Sequence, residues 1–469
     1  MPKNQKETLV SKTTSSRVFA LFRQEVIARK LVEPGDHILL AYSGGPDSTC
    51  LLSLLQALRE EIPFSLSLAH LNHGLRPAAA EDEAFVRQMA QRFSLPLVIR
   101  RVKVRSYARR HRLNLEEAGR QLRYTFLEET RQKLRATKIA TGHTMDDQAE
   151  TFLLRLFRGS GPRGLAGIYP QTETKVIRPL LGLRRHQVET YLKETGLPFC
   201  LDESNLDRRY RRNRLRLELI PLLEKRFDPK VVDHLARAAD ILRAEEEFLN
   251  QIEEKEAARV MREEGEVVLL DSQALSELHL ALARRLVRRF LAKLRGDLRE
   301  VNFREVEAIR RLEPGQEIHL RRRIKLVRLG SHILEKKTLN QWRRYQLLWD
   351  GKGVVTIPGL GLKFSGRIVK GSELPPFNDT ERACLRADLL RWPLLLRPRQ
   401  PGDSYQPFGA TKPRKLKEIM SDRRLPASLR PFLPVFLSGK HIIWVPGCPV
   451  AEAFKVSLAD DEVFIIEKI

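Results

Sequence analysis

Cysteine is scarce in this chain and scattered: Cys50, Cys200, Cys384 and Cys448, with no C-x-x-C pair. That spacing excludes a disulfide framework or a zinc ribbon and fits a reducing cytosol. Long apolar runs are missing too. No stretch reaches the roughly 18 residues that a membrane-spanning helix needs. The opening MPKNQKETLVSKTTSSRVF has no apolar signal core. Acidic residues are in deficit: 59 Asp+Glu against 84 Lys+Arg give a formal charge of +25. With a pI near 10.2, the expected partner is polyanionic, and without a membrane segment that means nucleic acid. There is no internal repeat and no low-complexity tract. What remains, 469 residues of which 42% are hydrophobic, supplies cores for two to four domains.

One short stretch carries the first chemical signal. "LLAYSGGPDSTCLL" (39–52) passes from apolar β-formers through a glycine-rich loop into a leucine-rich helix. Such a unit holds phosphate, because unpaired backbone N–H groups point out of the helix start. It is not the P-loop of G-x-x-x-x-G-K-[ST], since no lysine follows these glycines. Asp47 stands in the polar turn instead. A carboxylate beside phosphates makes sense with Mg²⁺ between them.

Strand and helix signals then alternate. "DHILLAY" (36–42), "FSLSLAHLNH" (64–73), "LPLVIRRVKV" (95–104) and "TKIATGH" (137–143) read as strands. Between them, 48–60, 81–93 and 115–134 read as helices, and "TMDDQAETFLLRLF" (144–157) follows as another. That order predicts an α/β domain with a parallel sheet and its site at the strands' carboxyl ends. The polar clusters 43–48, 70–76 and 143–147 all fall at those ends. Three domains are expected: 1–217, the nucleotide domain; 218–335, basic and helical; and 336–469, a small α+β domain rich in short strands, Pro and Gly.

Within "TGHTMDDQAE" (141–150), Thr144 suits an N-cap, with Asp146 and Asp147 in the first turn. Asp147 and Glu150 share a helix face, while Phe152, Leu153 and Leu156 are free to face the core. Two acids at the mouth of a phosphate site suit a cationic substrate group or a metal. "EEAGRQLRY" (116–124) sets Arg120 and Arg123 on a helix beside Gly119, a placement that suggests close approach by a backbone or ligand. "RRYRRNRLR" (208–216) carries six arginines in nine residues, a candidate phosphate-contacting surface along with 284–295 and 411–418.

The loop S-G-G-x-D-S resembles the PP-loop of the N-type ATP pyrophosphatases. Joined to "HLNHGLR" (70–76), "EEAGRQLRY", "TGHTMDDQAETFLLRLFRGSGPRGLAGI" (141–168), "VIRPLL" (176–181), "DESNLDRRYRRNRLR" (202–216) and the C-terminal 397–436, it is similar to the tRNA(Ile)-lysidine synthetase family. The resemblance spans nearly the whole chain, in the same motif order. It implies a ligase that uses ATP, Mg²⁺ and free lysine. The wobble cytidine of a CAU-anticodon isoleucine tRNA is adenylated, and lysine then displaces AMP. The product, lysidine, moves decoding from AUG to AUA and identity from Met to Ile.

Residue by residue, the resemblance implies ATP contacts from Ala41, Tyr42, Ser43, Gly44, Gly45, Pro46, Asp47 and Ser48. His70, Asn72, Arg123, Gly142 and His143 join that set. Asp47 is implied as the Mg²⁺ residue through the phosphates, and Asp47, Arg123, His143 and Asp147 as catalytic. Asp147 and Glu150 would hold lysine. Arg208, Arg209, Arg211 and Arg212, with Lys412, Arg414, Lys415 and Lys417, would meet tRNA. A charged residue is the expectation where Tyr405 stands. The implied setting is cytoplasmic, with no membrane partner; oligomeric state stays open, a homodimer included. Two other readings compete. A tRNA thiolase shares the loop but relies on paired cysteines, which this chain lacks. A non-catalytic RNA-binding protein would not need Asp47, His143, Asp147 and Glu150 intact.

Overall fold

The computed structural model describes residues 3–74, 79–201, 207–264, 267–298, 301–339, 345–357, 362–370, 381–425, 430–456 and 462–469. Arg76 and the first five residues of the 202–216 motif lie outside that set. The chain divides into two units, Met1–Phe248 and Leu249–Ile469.

In the first unit, helix α1 (Lys3–Ala28) precedes β1 (His37–Ala41), α2 (Pro46–Leu58), β2 (Ser65–Asn72), α3 (Ala79–Arg92) and β3 (Leu97–Arg101). Next come α4 (Val104–His111), α5 (Leu115–Lys133), β4 (Lys138–Ala140), α6 (Met145–Leu156), α7 (Pro162–Leu165), β5 (Val176–Ile177) and α8 (Arg185–Thr195). The five strands form one parallel sheet in the order β3-β2-β1-β4-β5. Helices cover both faces, so Ile38, Leu39 and Leu40 are all buried where an exposed sheet would alternate. Chain connections leave β1 in one direction and β4 in the other. That reversal opens a crevice at the strands' carboxyl ends, the usual ligand position in such sheets.

Local chemistry sets the helix starts around this crevice. Pro46 is the first residue of α2, where a missing N–H costs nothing and the fixed φ suits a helix. Leu51, Leu52, Leu54, Leu55 and Leu58 of that helix are all buried. Asn114 caps α5 by accepting from the Glu117 N–H at 2.8 Å. Thr144 starts α6, its N–H and hydroxyl both donating to the Asp147 carboxylate, at 2.8 and 3.0 Å.

After α8 come α9 (Arg211–Arg214), a π turn over Leu215–Leu219, and α10 (Ile220–Arg226). Pro221 explains the wide turn. It cannot donate to the carbonyl four residues back, and its ring would clash there. The Ile220 N–H reaches the Leu215 carbonyl instead. α11 (Val231–Val260) follows, and the division between units falls inside it.

The second unit holds more sheet than the sequence pattern suggests. Its helices Leu280–Arg295 and Phe303–Arg310 pack Leu286, Val287, Phe290, Leu291, Val306 and Ile309 into one core with Leu326 and Ile333. Those last two belong to a five-stranded antiparallel sheet built from 261–271 and 317–335. The remainder forms two four-stranded antiparallel sheets and a two-stranded ribbon pairing Ser404–Tyr405 with Arg414–Lys415. Phe364, Phe436 and Trp444 stack edgewise or tilted at their centre, ring centroids 5.2–6.0 Å apart. Tyr405 is buried here, its hydroxyl donating to the Pro449 carbonyl at 2.7 Å. The motif keeps this tyrosine as core, so no charge is needed there. Among the described residues, no helix is long and apolar enough to cross a membrane.

Candidate active site

The PP-loop is braced by its own hydroxyls. Ser43 Oγ and Ser48 Oγ lie 3.1 Å apart, and Ser48 Oγ donates to the Gly45 carbonyl at 3.0 Å. Gly44 has φ +84°, which other residues rarely adopt. The neighbouring loop packs onto this turn at Gly142. A Cβ there would come within 3.0–3.2 Å of Asp47 and Ser48 backbone atoms, so only glycine fits without a shift. Tyr42 is buried, its hydroxyl 3.2 Å from Thr49 Oγ1. His70 Nδ1 meets the Tyr42 carbonyl at 3.0 Å. The buried Asn72 accepts from the Gly74 N–H at 2.9 Å.

Asp47 sits in the first turn of α2. Burial, reinforced by the Asp147 charge, pushes its carboxyl up to about 6. Its Oδ1 is buried with no hydrogen-bond partner among the described residues. An orphaned carboxylate oxygen facing a phosphate loop fits a divalent cation. No group of three or more His, Cys, Asp or Glu that could hold a metal occurs among the described residues. A cation at Asp47 would therefore draw its remaining ligands from phosphate and water.

Asp147 and Glu150 lie buried on α6, and three guanidiniums enclose them. Arg212 reaches Asp147 Oδ1 at 2.9 Å and Glu150 Oε2 at 2.7 Å. Arg216 Nε donates to Glu150 Oε1 at 2.7 Å. Arg185 approaches Glu150 at 3.3 Å and Asp147 at 3.4 Å. Burial alone would raise the Asp147 carboxyl, but Arg212 and Arg185 outweigh it and hold the group down at about 2. Arg184 meanwhile bonds Asp146, Glu224 and Asp233.

Arg212, grouped by sequence with the RNA-facing arginines, is thus turned into the site beside the two acids. Arg208, Arg209 and Arg211 are exposed, Arg209 paired with Asp207 at 2.7 Å. Arg185 escaped the sequence reading, and Arg216 entered it only within the 208–216 phosphate-contacting cluster. One signal was that Arg212 and Arg216, four apart, fall on one face of a helix.

His143 Nδ1 lies 3.0 Å from the Thr141 hydroxyl, within hydrogen-bond distance. Burial pushes its pKa down to about 4, so the ring is neutral at physiological pH and not a cation. Arg123 is solvent-accessible, with one NH2 3.5 Å from His73 Nε2. Loss of water around its guanidinium still lowers its pKa. A Cβ at Gly119 would meet the His73 ring at 3.9 Å, an ordinary contact, so no close backbone approach explains the glycine. Phe152 and Leu153 are buried as expected, but Leu156 is 46% exposed. Lys412, Arg414, Lys415 and Lys417 are exposed in the second unit, Arg414 bonding Asp422 at 2.6 Å. The arginines of 284–295 are largely committed to acids, such as Arg284 to Glu307 and Arg285 to Glu253.

Comparison with known proteins supplies the family. A PP-loop domain model matches residues 13–223, and a TilS substrate C-terminal domain model matches 394–465. The chain is 37% identical to the tRNA(Ile)-lysidine synthase of Geobacter sulfurreducens, over 91% of this chain and 92% of that one. It is 33% identical to the same enzyme of Caldanaerobacter subterraneus, covering 93% and 94%. The chain belongs to the tRNA(Ile)-lysidine synthase family. A solved U34-tRNA thiolase from Methanococcus maripaludis is 16% identical, covering 50% of this chain and 79% of that one. Its TM-score of 0.44 is too low to bear on function.

Proposed function

We propose that this protein, through its PP-loop domain, uses ATP to join free lysine to C2 of the wobble cytidine in isoleucine tRNA with a CAU anticodon. The observation that carries the reading is the placement of Asp147 and Glu150, one helical turn apart, with Asp147 acting on the charge of the phosphate-loop aspartate. The cytosine C2 carbonyl is a poor electrophile, so its oxygen first attacks the α-phosphorus of ATP and pyrophosphate leaves. The lysine ε-amine then attacks C2, and AMP departs with that oxygen.

Ser43, Gly44, Gly45 and Ser48 cradle the leaving pyrophosphate with N–H and hydroxyl donors. Mg²⁺, when bound through Asp47, supplies charge neutralisation on the phosphates. Ala41, Tyr42, Pro46, His70, Asn72 and Gly142 shape the nucleotide's surround. Arg123 and neutral His143 donate to the α-phosphate as charge develops. Asp147 and Glu150 take the lysine ammonium groups once the guanidiniums give way, and a freed guanidinium is then placed to meet the lysine carboxylate. At about 2, Asp147 is too weak a base to deprotonate an ammonium and serves as a fixed negative charge. Arg208, Arg209, Arg211, Lys412, Arg414, Lys415 and Lys417 position the RNA backbone.

The division into 1–217, 218–335 and 336–469 is kept as a functional one: adenylation, then two RNA-contacting parts. A cytoplasmic setting follows from the tRNA substrate. The test is incorporation of radiolabelled lysine into transcripts. Label should enter CAU-anticodon isoleucine tRNA only when ATP is present, with AMP released in equal amount. ATP consumption without lysine incorporation would overturn the assignment.

A further inference from the structure

Arg178 directly follows β5, at the same carboxyl edge that holds the PP-loop after β1 and His143 after β4. It is buried, 7% exposed, as are Arg243 and Arg397. Arg243 pairs with Asp240, and Arg397 with Asp403. Arg295, whose side chain is fully covered, pairs with Glu305. Arg178 has no carboxylate partner among the described residues. It donates to the Tyr169 carbonyl and lies beside the Tyr124 side chain, while its Nε is buried without any partner. Tyr124 favours its charged form, partly through a side-chain hydrogen bond; Arg120 and Arg243 oppose it, and Arg178 acts in turn on His143. Arg120 itself stacks on the Tyr124 ring at 5.2 Å.

A buried guanidinium among other cations is costly, and such a charge is kept where a ligand brings the counter-ion. We propose that Arg178 is a phosphate-binding residue of the active site, holding a backbone phosphate of the RNA strand beside the reacting cytidine. The inference rests on the tRNA reading above. Position favours RNA over ATP as the source: β4 stands between β1 and β5, so Arg178 lies two strand spacings, about 10 Å, from the PP-loop strand. The planar fork of arginine suits a phosphate held at one orientation.

The test uses the full-length protein, the variants Arg178→Gln and Arg178→Lys, and tRNA transcripts with one uncharged methylphosphonate on either side of the wobble nucleotide. Losing a charged hydrogen-bond pair predicts that Arg178→Gln lowers kcat/KM for tRNA by about 10- to 100-fold. The ATP KM should stay at the parent value, with Arg178→Lys falling in between. One methylphosphonate should impair the parent by a similar factor and the glutamine variant hardly at all. The ligand-free Tm should hold or rise, because a buried unpaired charge has gone. A raised ATP KM, with methylphosphonate losses that simply multiply, would support the phosphate site with ATP as its source. A fallen Tm with unchanged phosphate coupling would overturn the proposal and leave Arg178 as a strut for the Tyr169 loop. Filter retention of the transcripts scores the phosphate contact by binding, whatever the parent's chemistry. A parent that binds but makes no lysidine refutes the function, whereas an active parent with an indifferent Arg178→Gln refutes this site alone.

Discussion

Replacing Glu150 by glutamine keeps the shape of the side chain and removes its charge. Glu150 is fully buried and takes four guanidinium contacts: Arg212 Nε and Arg216 Nε at 2.7 Å, Arg216 NH2 at 3.1 Å and Arg185 NH1 at 3.3 Å. Without it, three half-buried guanidiniums share Asp147. Removing one side of a buried ion pair costs about 3–5 kcal/mol. For a unit the size of Met1–Phe248, the unfolding entropy is about 0.5 kcal/mol/K, so its transition should fall by about 6–10 °C. Scanning calorimetry without ATP or lysine reads this directly. Arg216→Met on the same background should recover part of the loss, since Arg216 reaches Asp147 only at 3.5 Å. A coupling of about 1–3 kcal/mol between the two changes is expected. Were Glu150→Gln to melt within about 2 °C of the parent, or the two changes to add, the arginine cage would not exist in solution.

Three further outcomes follow from the same site. His143, pushed down to about 4, binds fewer protons folded than unfolded, so stability should drop as pH falls from about 6.5 toward 4, by up to about 3 kcal/mol. His143→Asn should flatten that slope in urea titrations, and an unchanged slope would contradict a neutral ring. Gly142→Ala drives a methyl against the Asp47 and Ser48 backbone, costing about 1–3 kcal/mol and raising the ATP KM more than the lysine KM; equal effects would contradict the packing argument. Changing two of Arg208, Arg209 and Arg211 to Gln should weaken all tRNAs alike and flatten the salt dependence by about 0.7–0.9 log unit per contact, whereas a lower Tm at unchanged slope would mean these arginines are structural.

The first unit was legible because its signals are local. Runs such as HILLA and SLSLAHLN are buried strands by composition, and Gly44, Pro46 and Thr144 mark helix starts by rules acting over a few residues. Position at the strand ends then collected Asp47, His143, Asp147 and Glu150. The arginine cage was not legible, since Arg212 meets acids more than sixty positions away. Arg184 and Arg185 did carry a hint: cations at a helix start oppose the dipole, which calls for acids nearby. In the second unit, strands of three to five residues lie between long charged helices. Windows that short cannot establish a period of two against their helical neighbours. The exposure of Leu156 has a similar origin, because the pattern gives the face but not where the core ends.

Two carboxylates that accept guanidinium forks from their own chain raise no barrier of shape against free arginine. Discrimination between the two basic amino acids would then fall to reactivity. A guanidinium stays protonated throughout the physiological range and offers no lone pair. A lysine ammonium, with its ordinary pKa of about 10.4, releases about one free amine in a thousand near pH 7.4. An enzyme built this way tolerates a frequent visitor that cannot attack. With lysine held there as proposed, the consequence would be competitive inhibition in place of miscoding: abundant arginine would slow the modification of a tRNA without ever placing the wrong side chain on it.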